Sequence, residues 1–339
     1  MKTFFKQCPT FVKRSYRGGK VMGDFLHIED ARDGFAPEDW ISSFHEAKNP
    51  VHIPNEGISR VMVNGEERLI TDVVSQADYG RGRTDSGVLI KFLDAAERLG
   101  IQVHPTREYA SKHLNSPYGK TECWYVLGAR EMNGKKAAVY FGFREHVTKE
   151  YWRELYDKQD VQGMLDALHR FEVEPGQVIL IEGGVPHAID AGCFLLEIQE
   201  PTDYTMRTEK VTLAGEVLPP ERIHYGVGDA LLMECFDYTP RTREETMARF
   251  FLSHRAGEDR ETKLVTYEDT PYFALSLVEG SYATESPDCI TVVVVEDGGR
   301  IEAGEQSATL CRGDKFFLPA NTPFSLTDAK ALLCYPPKA

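Results

Sequence analysis

Two short stretches carry side chains out of keeping with their surroundings. In "LGIQVHPTREY" (Leu99 to Tyr109) and "GKTECWYVL" (Gly119 to Leu127), Ile101, Val103, Trp124, Val126 and Leu127 supply the apolar content of buried strands, yet Gln102, His104, Lys120 and Glu122 are interleaved among them. Side chains alternate across a strand, so Gln102 and His104 face one way, and Lys120, Glu122 and Trp124 share a face on the next strand. A carboxylate turned into a barrel interior without a partner costs several kcal/mol or stays protonated. A divalent cation satisfies all these polar groups at once. With His187 of "PHAI" the set becomes two imidazoles, a carboxylate and an amide oxygen, mixed N/O donors that suit Zn2+ and tolerate Mn2+, Fe2+ or Ni2+. No thiolate belongs to the set, which argues against a closed structural zinc site and leaves a position for water or substrate. Taken singly, each histidine also reads as a core or surface residue, and Lys120 with Glu122 as an exposed edge-strand pair; Trp124 beside them argues for burial.

The elements that must position these residues are mostly strands. In "SRVMVNGEERLI", Asn64-Gly65 between two apolar runs predicts a tight hairpin. Further β-rich stretches fall at 101–104, 122–127, 137–143, 171–181 and 193–199, and a short helical candidate spans Gly87 to Leu99. Between Thr148 and Arg170 apolar residues recur at spacings of three and four (Trp152, Leu155, Tyr156, then Val161, Met164, Leu165, Leu168), which predicts a helical insert broken at Gln159 and Asp160. Pro219 and Pro220 open a second helical patch. Thr242 with Glu245 forms a capping-box pattern at the start of a third.

An internal comparison sets the architecture. "PGQVILIEGGVPHAI" and "RGDKFFLPANTPFSL" superpose without a gap: Gly176 on Gly313, Gly184 on Asn321, Glu182 on Pro319 and His187 on Phe324. One hairpin used twice, with a histidine only in the first copy, predicts two related β-barrels, one that holds a metal and one that does not. The expected division is a metal-bearing barrel over residues 1–250, with an insert at about 148–170 and connecting helices at about 219–250, followed by a metal-free barrel over 251–339.

The 339 residues are enough for two domains, and 42% apolar with 27% charged residues is the composition of an ordinary globular protein. A net charge of −14 disfavours nucleic acid and anionic membrane as partners. The N-terminal segment mixes Phe and Val with Lys and Arg and has no continuous apolar run, so a cytoplasmic location is expected. The seven cysteines are scattered without a C-x-x-C pair, which predicts reduced thiols.

The stretches "LIKFLDAAERLGIQVHP", "GKTECWYVL" and "VPHAIDAGCFLLEIQEPTDYTMR", with the helical insert between them, resemble the type I mannose-6-phosphate isomerases, the zinc-dependent cupin sugar isomerases, over about residues 85–210. The resemblance implies a mainly β fold of two cupin-type (jelly-roll) barrels. It implies Zn2+ on Gln102, His104, Glu122 and His187, an active-site lysine at Lys120, a glutamate at Glu197 and an arginine at Arg207. The family's serine associated with the substrate phosphate stands here as Gly100, while the accompanying lysine is kept as Lys91. Glu182 replaces the proline of the cupin pattern.

The implied activity is the interconversion of mannose 6-phosphate and fructose 6-phosphate. Such a reaction removes a proton beside a carbonyl and returns it to the neighbouring carbon through an enediol(ate), so negative charge on oxygen must be stabilised. Glu197, sharing a strand face with Leu195 and Gln199, is the candidate for proton transfer, with Lys120 and Arg207 favouring the negative charge. An isomerase of a different or unphosphorylated sugar, encouraged by Gly100, stands as an alternative. So does an iron-dependent cupin dioxygenase, although a second histidine would be expected where Gln102 stands.

Overall fold

The computed structural model describes residues 3–258 and 260–338. Its first barrel is two antiparallel sheets packed face to face. The larger runs, in spatial order, Val178–Ile181, Glu122–Ala129, Cys193–Gln199, Leu89–Asp94, Glu38–Ile41 and Phe11–Val12. The smaller runs Leu168–Glu172, Ala138–Phe143, His187–Ile189, Gln102–Val103 and Met206–Arg207. Between the two sheets lies a core of Leu93, Trp124, Val126, Ile179 and Leu195, met by Phe141 and Ile189 of the smaller sheet.

The other face of the larger sheet is equally apolar. Ile90, Phe92, Leu196 and Ile198 pack there with Leu275, Leu277, Val293 and Leu332 of the C-terminal unit. Burial on both faces erases the alternation by which a strand is normally read. This explains one correction: the helical candidate from Gly87 to Leu99 is the strand Leu89–Asp94, buried along its whole length and hydrogen-bonded on both sides, to Cys193–Gln199 and to Glu38–Ile41. A short apolar run buried all round carries no periodicity that separates helix from strand.

The helical insert forms two helices, Lys149–Lys158 and Val161–Asp166. Between them Gln159 takes a left-handed conformation (φ 51°), and the Asp160 side chain accepts the Gly163 N–H. The helices end at Asp166, short of the expected Arg170, because Leu168–Glu172 is drawn into the smaller sheet beside Ala138–Phe143. Thr242 and Glu245 form the expected capping box on the helix Arg243–Phe250, and Pro220 opens the helix Pro220–His224.

The two sequence copies fold alike. Residues 175–189 and 312–326 have the same conformational pattern position by position: a turn, a four-residue strand, a second turn, and a strand starting at His187 or Phe324. Gly184 (φ 91°) and Asn321 (φ 56°) occupy the matching left-handed position, which glycine and asparagine tolerate best. Phe324 lies in an apolar cluster with Phe316, Leu326 and Leu333.

The sheet of the C-terminal unit crosses the division expected at residue 250. Phe5–Cys8 pairs with Lys315–Leu318 and continues into the Arg60–Val63/Glu66–Leu69 hairpin, whose Asn64 (φ 52°) and Gly65 (φ 82°) make its turn. The N-terminal strand thus covers an edge that would otherwise stand unpaired. Among the described residues no helix is long and apolar enough to cross a membrane.

Candidate active site

Strand register brings the chemistry-bearing residues together. Glu197 lies opposite both Lys91 and Trp124, Gln199 opposite Glu122, and Gln102 opposite both His187 and Arg207. Lys91, Glu122 and Glu197 have the parity of Leu93, Trp124 and Leu195, so they turn into the barrel. His104, Glu122 and His187 each present a ligand atom, all within 4.8 Å of one another, and all three are at most 1% exposed.

The protonation states suit cation binding. His187 Nδ1 donates to the Val185 carbonyl at 2.9 Å, which leaves the Nε2 lone pair pointing to the centre. Burial, together with the Lys120 charge, pushes His104 down to about 3, so its imidazole is neutral. Burial opposes ionisation of Glu122, but Lys120 and His104 outweigh it and hold its carboxyl well below the usual range. His104 Nε2 is 3.1 Å from Glu122 Oε2, and His187 Nε2 is 3.6 Å from Glu122 Oε1. The Gln102 amide nitrogen donates to His187 Nε2 at 3.1 Å; half a turn of the amide brings its oxygen to the same point. The Lys120 ammonium already sits in this cluster, 2.7 Å from Glu122 Oε2 and 2.8 Å from His104 Nε2, evidence that the donors favour positive charge. Two neutral imidazoles and an ionised carboxylate, buried and convergent, with the half-buried Gln102 amide beside them, fit a divalent metal.

Outward from this cluster runs a line of alternating charges. Lys120 is 3.7 Å from Glu197, Glu197 is 3.1 Å from Lys91, and Lys91 is 3.7 Å from Glu38. Arg14 follows, 3.0 Å from Glu38 and forked onto Asp203 with two contacts of 3.2 Å. Burial, then the neighbouring Glu122 charge, raises Glu197 to about 7 despite its lysines. For Lys91, burial disfavours the charge, but Glu197 and Glu38 outweigh it and hold the ammonium protonated. The line borders a cavity of about 940 Å3 whose wall includes Lys91, Gly100, Gln102, Lys120, Glu197 and Arg207. Arg207 stands apart from the cluster: its guanidinium donates to the Thr205 and Arg222 carbonyls at 3.2 and 2.7 Å and has no carboxylate within ion-pair distance among the described residues.

Sequence reasoning missed Arg14, Glu38 and Asp203. Asp203 had a readable signal, being the acidic partner in the D-x-x-x-R stretch that carries Arg207. Glu38 and Arg14 had none, since each looks like a surface charge until Trp40 and Tyr16 are seen donating to the Glu38 carboxylate at 2.8 and 2.7 Å. Glu182 also acquires a role: it pairs with Arg249 at 2.6 Å and ties the turn before His187 to the helix Arg243–Phe250.

No family model matches the chain. It is 28% identical over 323 residues to the mannose-6-phosphate isomerase ManA of Bacillus subtilis, covering 93% of this chain and 92% of that protein. It is 36% identical over 240 residues, 69% of each chain, to the probable mannose-6-phosphate isomerase GmuF of the same organism. Among solved structures, it is similar to the mannose 6-phosphate isomerase from Bacillus subtilis with a TM-score of 0.74 at 20% identity, over 98% of this chain and 99% of that one.

Proposed function

From the premise that this chain belongs to the mannose-6-phosphate isomerase family, we propose that it interconverts mannose 6-phosphate and fructose 6-phosphate in a reducing, cytoplasmic setting, with a divalent metal, Zn2+ first among them, on Gln102, His104, Glu122 and His187. The observation that carries this reading is the buried convergence of His104, Glu122 and His187 directly behind Gln102 and Lys120 of the cavity wall. The odd, scattered set of seven cysteines, without a C-x-x-C pair, supports the reducing setting.

When bound, the metal supplies Lewis-acid stabilisation of negative charge developing on the sugar oxygens. The protein's own residues do the rest. Glu197, held at about 7, is poised both to take a proton from one sugar carbon and to deliver it to the next, which requires a carboxyl that is neither strongly acidic nor permanently neutral. Lys120 lies between Glu122 and Glu197, where its charge favours the enediolate. Arg207 brings a second cation to the same cavity. Lys120 and Glu197 are at most 3% exposed, so their charges act at low dielectric.

A second reading, an unphosphorylated sugar as substrate, has one observation in its favour. Gly100 offers no hydroxyl to the cavity, and Lys91 is already engaged by Glu197 and Glu38. The test of the main reading is turnover by metal-replete protein. Mannose 6-phosphate is converted to the ketose, and Glu197→Gln slows this about 10²–10⁴-fold while metal content stays at the wild-type level. Conversion of mannose but not mannose 6-phosphate would select the second reading, and full activity in Glu197→Gln would remove the glutamate from the mechanism.

A further inference from the structure

A phosphorylated sugar brings about two negative charges into a cavity on a strongly acidic protein, so some cation at that cavity must be available to meet them. Most are already engaged. Arg14, Lys91 and Lys120 each contact carboxylates, and Arg222 pairs with Glu216. Arg207, held through one guanidinium nitrogen by two carbonyl oxygens, is the cation assigned above to the reacting end of the sugar. Lys13 and Lys48 also line the cavity, and among the described residues neither ammonium has a carboxylate partner.

Lys48 is the one whose place is set. It belongs to the rim loop of residues 46–56, and its backbone N–H donates to Asp203 Oδ2 at 3.1 Å, the same carboxylate that Arg14 forks. Its ammonium stands 4.3 Å from the centroid of the Tyr204 ring, a cation–π contact that orients the charge without neutralising it. The acidic residues of this loop, Glu46 and Glu56, also line the cavity but are engaged by other partners. Glu46 accepts from the Asn55 backbone and faces His52, while Glu56 accepts from the Lys13 backbone and from the Asn49 amide. The rim therefore presents a positioned positive charge beside Asp203 and Thr205 of the cavity wall, with no carboxylate in ion-pair contact with it among the described residues.

We propose that Lys48 recognises the phosphoryl group of the substrate and sets the preference for a phosphorylated over a free sugar. This rests on the sugar-phosphate isomerase reading and specifies how the site recognises its substrate where Gly100 supplies no hydroxyl and Lys91 is held inside the barrel.

The test is equilibrium binding of mannose 6-phosphate and of mannose to the zinc-loaded protein, in wild type and in Lys48→Gln. The dissociation constant of mannose divided by that of mannose 6-phosphate is expected to fall at least about fivefold in Lys48→Gln, to be restored by Lys48→Arg, and in wild type to shrink as salt is added. An unchanged ratio in Lys48→Gln overturns the assignment, as does a wild type that binds the two sugars equally. Turnover separates this from the parent reading. Protein that converts mannose 6-phosphate while Lys48→Gln keeps the ratio loses only the lysine's role; protein that binds the phosphate through Lys48 without converting the sugar loses only the isomerase reading.

Discussion

Glu38 shows how much electrostatic organisation a single side chain carries here. Burial pushes its carboxyl up, but Arg14 and Lys91, with hydrogen bonds from Trp40 and Tyr16, outweigh burial and hold it at about 2, against an ordinary value of 4.5. A depressed carboxylate stabilises the fold above its unfolded pKa and loses that contribution as pH falls through its folded one. Glu38 therefore stabilises the native state fully above about 4.5, and that contribution fades toward about 2. Glu38→Gln strands Arg14 and Lys91 as partly uncompensated buried cations and is expected to cost about 3 kcal/mol at neutral pH. Denaturant midpoints across pH check this: the wild type weakens through the acid window, whereas the variant starts lower and weakens less across it. At this scale the sequence was legible where chemistry forced unusual residues into apolar strands, as with His104 and Glu122. It was silent where an ordinary charge is buried by distant partners, as with Arg14, whose contacts come from residues 38, 49 and 203.

Among the elements, the turn that launches His187 is held from two sides. Gly184 receives a backbone contact from Asp237 and gives one to the His104 carbonyl, at 2.8 Å each, and Glu182 grips Arg249. The helix bearing Arg249 depends on its cap: Thr242 Oγ1 accepts the Glu245 N–H at 3.1 Å, and Glu245 returns the bond to the Thr242 N–H at 2.8 Å. Thr242→Ala is expected to cost about 1 kcal/mol in chemical denaturation, and Thr242→Ser to recover most of it. Elements with local signals, such as the Asn64-Gly65 hairpin, the break at Gln159 and the Thr242 cap, were all legible in the sequence. Leu89–Asp94 was not, because its outward face is covered by the C-terminal unit, and the contact that hides its alternation comes from Leu275 and Leu332, well over a hundred residues away. The same limit applies to Phe5–Cys8, whose pairing with Lys315–Leu318 no local pattern announces.

At the scale of the whole molecule, the proposed metal donors come from three separate stretches of chain, around residues 102–104, 122 and 187, and only the closed barrel brings them within reach of one another. Metal binding and folding are therefore linked: a cation that binds the native state and not the unfolded chain stabilises the native state. The most direct measurement is zinc content per chain in wild type and His187→Ala, taken with the thermal midpoint before and after zinc is added. A single zinc per wild-type chain and a rise in midpoint on loading are expected, with both lost in His187→Ala although that variant remains folded. Equal zinc content and an equal rise in the two proteins would contradict the proposed donor set.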